Sequence, residues 1–192
     1  TGKRVLAHIS GSTLDLQEVV SYLKPGDIVT HMYTGFEKNV FSGGSLSSAM
    51  LEAKKRGVIM DVGHAAKHFS WDVFRKAYGQ GLTFDTISTD LTVFSFHQPE
   101  SNTLYDIYHL FSAFLEIGID RDEVFRAVTT TSAKIYGLPL DIEKQTLILR
   151  RMESHLPLAD GVGGKLELHT EYRPACFVDN GKLILSPDCM NG

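Results

Sequence analysis

Four short apolar runs, each leading through a loop into a helix-like segment, constrain the fold of this chain more than any other feature. They are Arg4-Val5-Leu6-Ala7-His8, Asp27 to Met32, Val58-Ile59-Met60-Asp61-Val62 and residues 84–90. Each is rich in aliphatic or β-branched residues and too short for a helix, the pattern of a buried strand. Between and after them helices are expected: one from Ser12 or Thr13 to Leu23, one from Ser45 or Ser47 to Arg56, and one from Trp71 to Tyr78 behind a Ser70 cap. Leu104–Ile117 and Glu123 to about Tyr136 extend the helical series, with Asp120 as a cap and Gly137 as a stop. The turns from helix to strand are tight (Lys24-Pro25-Gly26, Gly57, Gly79 with Gly81), whereas the loops after the strands are longer. This alternation predicts an α/β fold with a parallel sheet and right-handed crossovers. In such folds the loops at the strand C-termini carry function.

Those strand ends carry chemistry. The first two runs end in His8 and His31, and the fourth ends in Asp90. A carboxylate at the end of a buried strand is costly unless its charge is needed there. Two imidazoles and one carboxylate at neighbouring strand ends make a metal-ligand set. The plainer alternative is that each histidine is a hydrogen-bonded loop residue. His64, in the loop after the third strand, reads equally as a substrate contact or an ordinary loop residue. Tyr33, in the Tyr33-Thr34-Gly35-Phe36 loop, reads equally as pocket lining or as a hydrophobic clasp. His68 and His97 are expected to be solvent-exposed over the same mouth. Asp61, inside its strand, reads as structural, as do His109, His155 and His169.

After Pro139 the pattern changes to short strands at 145–149, 165–169, 172–178 and 182–185, with an Asn180-Gly181 hairpin turn. This divides the 192 residues into a βα part, 1–140, and a small β appendage, 141–192. A formal charge of −4 with no basic stripe argues against nucleic acid or an anionic membrane as partner. No apolar run approaches the roughly 20 residues that a bilayer-spanning helix needs, and nothing resembles a signal peptide. The two cysteines, Cys176 and Cys189, form no CxxC pattern. In a cytoplasmic chain they stay thiols, with a disulfide between them the open alternative. Any metal must then come from histidine and carboxylate ligands.

Three segments together are similar to a known family. Pro25-Gly26-Asp27-Ile28-Val29-Thr30-His31, Arg56-Gly57-Val58-Ile59-Met60-Asp61-Val62-Gly63-His64 and Asp85-Thr86-Ile87-Ser88-Thr89-Asp90 resemble the amidohydrolase superfamily. The branch is that of the dihydroorotase-like metallohydrolases, which includes N-acyl amino acid deacetylases. The resemblance spans about residues 3–136 and implies the C-terminal half, strands five to eight, of a (β/α)8 barrel with a small β-sandwich-like element. It implies that His8 and His31 are metal ligands, that Asp90 is both a ligand and the general acid/base, and that His64 contacts substrate. Zinc is the implied metal, one or two ions in an intact barrel. The implied reaction is hydrolysis of an amide-type C–N bond in a small N-acyl or cyclic amide substrate. The family's His-x-His pair of strand one and carbamylated lysine of strand four have no counterpart here. Ala65 and His68 stand where relatives carry a glycine and a serine, and a glycine-rich segment is missing between Leu140 and Asp141. A partner is therefore expected, either the missing N-terminal half barrel or a second copy. The alternative is a non-catalytic half-barrel remnant that pairs with another chain as a binding or structural module.

Overall fold

A computed structural model describes residues 2–65, 67–92, 106–141 and 144–186. His97 and Cys189 lie outside the described residues. The chain groups into two compact units, residues 1–107 with 157–166, and residues 108–156 with 167–192. The later helices thus group with the late strands.

In the first unit β1 (Leu6–His8), β2 (Ile28–Thr30) and β3 (Ile59–Met60) form a parallel sheet in the order β1-β2-β3. Leu6 lies opposite Ile28, and Ile28 opposite Ile59. The central strand is buried along its whole length, which is why its sequence is continuous in aliphatic and β-branched residues. Helices α1 (Leu16–Ser21), α2 (Ser48–Lys55) and α3 (Trp71–Gly79) follow the three strands. Ser47 Oγ accepts from Met50 N, and Ser70 Oγ from Val73 N, each capping the helix it precedes. Two carboxylates tie neighbouring strands at their entry ends. Asp27 accepts from Val5 N at 2.9 Å and from Lys24 N at 2.8 Å, and these bonds hold its carboxyl below the usual range. Asp85 accepts from Met60 N at 2.8 Å.

The expected fourth strand is reduced to a single parallel bridge between Asp61 and Thr86. Segment 84–90 still follows its neighbour, since Val62 N donates to Thr86 O, His64 N to Ser88 O and Ala65 N to Thr89 O. Regular strand geometry ends because both chains turn into the left-handed region, at Gly63 (φ 52), Ala65 (φ 42) and Asp90 (φ 46). Asp61 locks this region. Buried itself, it accepts hydroxyl bonds of 2.7 Å from Thr30, Thr86 and Ser88. Burial pushes its carboxyl up, against the pull of those three donors.

In the second unit α4 (Ile107–Glu116) is followed by α5 (Arg121–Val128) and α6 (Thr130–Tyr136). The single helix expected over 123–136 breaks at Thr129 (φ −130, ψ −89). Thr129 Oγ1 donates to Phe125 O and Ser132 Oγ to Ala127 O, so hydroxyls of the Thr-Thr-Thr-Ser run compete for helix carbonyls. The late strands are longer than expected: β4 (Gln145–Ala159), β5 (Lys165–Asp179) and β6 (Lys182–Leu185) form one sheet in that order. Asn180 (φ 47) and Gly181 (φ 77) make the β5–β6 turn, as the Asn-Gly pair requires. Side chains of α4 satisfy backbone donors of β5. Tyr172 N donates to Ser112 Oγ, and His169 N and Thr170 N donate to Glu116 Oε2. Glu116 also binds the His169 ring at 2.9 Å. That stretch of strand is therefore not left as an open edge.

The Glu116 bond raises the His169 pKa, while burial opposes but does not outweigh the donors that lower the Glu116 carboxyl. The pair's contribution to stability is present where the imidazole is charged and the carboxylate ionised. It is lost as pH rises through the raised His169 value, and again as pH falls through the lowered Glu116 value. Melting temperatures between pH 6 and 9 should therefore decline more in the parent chain than in Glu116→Gln, measured by circular dichroism.

Candidate active site

At the C-terminal ends of β1, β2 and the 84–90 segment, His31 stands beside both His8 and Asp90. The rings of His8 and His31 lie 4.1 Å apart between centroids, edge to face at 61°. His31 Nε2 stands 3.4 Å from Asp90 Oδ2. His31 is 1% exposed and the Asp90 side chain 50%, so the pair runs from the core to the solvent. The other nitrogen of His31, Nδ1, meets the carbonyl of Gly63. A carbonyl only accepts, so His31 carries its proton on Nδ1 and presents a lone pair at Nε2. Burial holds the His31 pKa below its ordinary value and outweighs the Gly63 bond, which alone would raise it.

Both His31 (φ 62) and Asp90 (φ 46) occupy left-handed backbone that non-glycine residues rarely adopt. Such conformations concentrate where a side chain must be aimed. Gly63 makes the aim of His31 feasible. A Cβ there would lie 2.1 Å from Thr30 Oγ1 and 2.9 Å from His31 Nδ1.

A third imidazole joins the group. His68 lies 5.3 Å from His8 and 4.8 Å from His31 between ring centroids, and its Nδ1 is 2.7 Å from Ser10 Oγ. It is half-buried rather than solvent-exposed, because the loop carrying it folds back over β1 and β2. Burial first, then the neighbouring imidazoles, lowers its pKa to about 4. The tip of the β4–β5 hairpin, which belongs to the same unit, pins that loop. Asp160 accepts from Trp71 N at 2.9 Å, and Gly161 N donates to Phe69 O. A Cβ on Gly161 would fall 2.1 Å from Lys67 O.

His64 and Tyr33, the two expected substrate contacts, are not brought into this group. His64 is fully buried, stacked on Phe69 at 4.5 Å, and burial drives its pKa to about 3. Tyr33 is 0% exposed, packs edge-on against Phe74, and donates its hydroxyl to Leu82 O at 2.7 Å. Among the described residues, no three His, Cys, Asp or Glu side chains converge in metal-ligand geometry.

No family model matches the chain. A curated deacetylase from Enterococcus faecalis is 25% identical over 136 residues, covering 70% of this chain and 36% of that one. A solved dihydroorotase superposes with a TM-score of 0.82 at 23% identity over 95% of this chain and 50% of its own. A solved adenine deaminase does so with the same TM-score at 21% identity, over 94% and 50%. The likeness is to the dihydroorotase-like and deacetylase-like amidohydrolases. The chain spans about a third of the length of the curated deacetylases it matches, and half of each of the two solved structures. The motifs that carried the resemblance contain His31, Gly63 and Asp90. His68 escaped because it departs from those motifs. The one signal for it was a histidine in a strand-end loop that already held His64. No helix among the described residues is long and apolar enough to cross a membrane.

Two outcomes follow from the packing. Gly63→Ala forces either a strained φ or displacement of Thr30 and His31, and should cost about 2 kcal/mol or more in urea unfolding. In the metal-free chain, His31, His64 and His68 all refuse protons that the unfolded chain accepts near pH 6.5. Stability should therefore fall as pH drops from 6.5 toward 4, by up to three protons' worth of linkage, read from the pH dependence of the urea midpoint.

Proposed function

We propose that this chain supplies the C-terminal half of a (β/α)8 amidohydrolase barrel, acting on an amide-type C–N bond in a small N-acyl or cyclic amide substrate. The observation that carries the reading is His31 Nε2 facing Asp90 Oδ2 at 3.4 Å. A lone pair and a carboxylate this close repel each other unless a cation is held with them. Neutral imidazoles backed by a second-side hydrogen bond, together with a carboxylate, suit zinc.

His8, His31 and Asp90 would hold the ion. Once bound, a divalent cation supplies Lewis-acid polarisation of a carbonyl and lowers the pKa of a water toward neutrality. Asp90, at the solvent end of the pair, would take the proton of the attacking water and deliver it to the leaving nitrogen. An amide needs that delivery because its nitrogen leaves poorly as an anion. The Gly63 carbonyl would keep His31 in the ligand tautomer throughout. His64 and Tyr33 would serve as the packed wall behind the imidazoles rather than as substrate contacts.

The remaining strands would come from an N-terminal half barrel or from a second copy. In support, β1 lies at the edge of its sheet, with Val5 51% and Leu6 54% exposed. Cysteine usage without a CxxC pair fits a reducing, cytoplasmic setting.

A second reading, the non-catalytic half-barrel module, is favoured by the lack of a converged three-ligand group among the described residues. Zinc dialysis followed by elemental analysis separates the two. The hydrolytic reading expects bound zinc in the parent chain, an affinity at least about tenfold weaker in His31→Ala and Asp90→Ala, and release of acetate from N-acetyl amino acids. No stoichiometric zinc would leave only the structural module.

A further inference from the structure

The hydroxyls beside His68 have only one arrangement that satisfies them all. Thr34 is 0% exposed and Ser10 5%. Thr34 Oγ1 accepts from Phe36 N at 3.3 Å and lies 2.8 Å from Ser10 Oγ, which in turn lies 2.7 Å from His68 Nδ1. A buried hydroxyl proton without an acceptor carries the full cost of its lost water. The one side-chain partner of Thr34 able to receive its proton is Ser10 Oγ. Thr34 therefore donates to Ser10, and Ser10 is left to donate to His68 Nδ1. That nitrogen then holds a lone pair, and the His68 proton resides on Nε2. The reverse order, His68 to Ser10 to Thr34, would strand the Thr34 proton in the core.

Two neighbouring imidazoles are thus fixed in opposite tautomers. His31 is Nδ1–H because it faces the Gly63 carbonyl, and His68 is Nε2–H because it faces a hydroxyl with nowhere else to donate. The first is an acceptor at Nε2, suited to a cation. The second is a donor at Nε2 and does not suit one. A neutral imidazole donor can stabilise an oxygen that gains negative charge, without giving up a proton.

We propose that His68 is a fixed neutral donor, its proton held on Nε2 by the Thr34–Ser10 hydroxyl relay, and that it receives a carbonyl or carboxylate oxygen of the substrate beside His8 and His31. This assignment rests on reading the strand-end mouth as the hydrolytic site. The tautomer itself is independent of turnover.

The test is a long-range proton–nitrogen correlation spectrum of the metal-free full chain, with the His68 signals assigned by their disappearance in His68→Gln. The expected result is Nδ1 at the unprotonated end of the imidazole range and Nε2 at the protonated end. In Ser10→Ala the pattern should move toward a tautomer mixture. An Nδ1–H form, or a mixture already present in the parent chain, overturns the proposal. The same sample is then titrated with N-acetylglycine. The His68 Nε2–H signal should shift, binding should weaken about tenfold or more in His68→Ala, and His68→Gln, whose amide can still donate, should recover most of it. An unmoved Nε2–H signal overturns the substrate role. Failure of the hydrolytic reading is seen separately, as absence of acetate release from a chain whose His68 tautomer and titration behave as expected.

Discussion

The contact on which the strand-end geometry depends is that between His31 and Gly63. One residue has no side chain and the other has turned its backbone into the left-handed region, so the Gly63 carbonyl can reach His31 Nδ1. That single bond does three things. It places the only proton of a neutral imidazole at the back of the ring, turns the lone pair toward Asp90, and ties the loop after β3 to the end of β2. Asp61 reinforces it from below, holding Thr30 on one side and Thr86 and Ser88 on the other. A buried carboxylate whose burial opposes its ionisation is tolerable here because three hydroxyls share its charge. The resulting rigidity keeps two strained non-glycine residues, His31 and Asp90, in conformations a looser scaffold would relax.

Much of this was legible in the sequence because α/β architecture writes itself in short range. The strands around Ile28 and Ile59, the Ser47 and Ser70 caps and the Asn180-Gly181 turn are set by residues within a few positions of one another. His8, His31 and Asp90 could be grouped because parallel strands with right-handed crossovers must end on one side. Two residues are left open by the sequence: Tyr33 reads equally as pocket lining or a hydrophobic clasp, and His64, a substrate contact by the family resemblance, equally as an ordinary loop residue. Their burial depends on Phe69, Trp71, Phe74 and Leu82, which pack there only once α3 has folded back. The 84–90 run has good strand composition and stays bonded to its neighbour as far as Thr89, yet the left-handed residues Gly63, Ala65 and Asp90 leave it a single regular bridge. The break at Thr129 was written locally, in four consecutive hydroxyl residues, but is outweighed in a pattern reading by the apolar periodicity on either side.

His68 shows a different limit. The one local signal, His64 in the same loop, says nothing of the His68 tautomer, since the groups that determine it, Ser10 and Thr34, come from the ends of two other strands. Its position also depends on Asp160 and Gly161, nearly a hundred residues later, which hold the loop at Phe69 and Trp71. Each part is also satisfied: the Asp160 carboxylate accepts from Val162 N, Gly164 N and Trp71 N, so the hairpin tip is internally complete and still caps α3.

The opposed tautomers bear on how tightly the strand-end group can hold a cation. If all three imidazoles presented lone pairs, His8, His31 and His68 would offer a cation three neutral nitrogens. With His68 committed as a donor, the group offers two imidazoles and one carboxylate, a set that binds an ion weakly unless further ligands arrive. Among the described residues no three-ligand group converges, and β1 stands at the edge of its sheet with Leu6 exposed. Were further ligands to come from a chain pairing with β1, coordination and strand pairing would be supplied in the same step, and metal affinity would then depend on assembly.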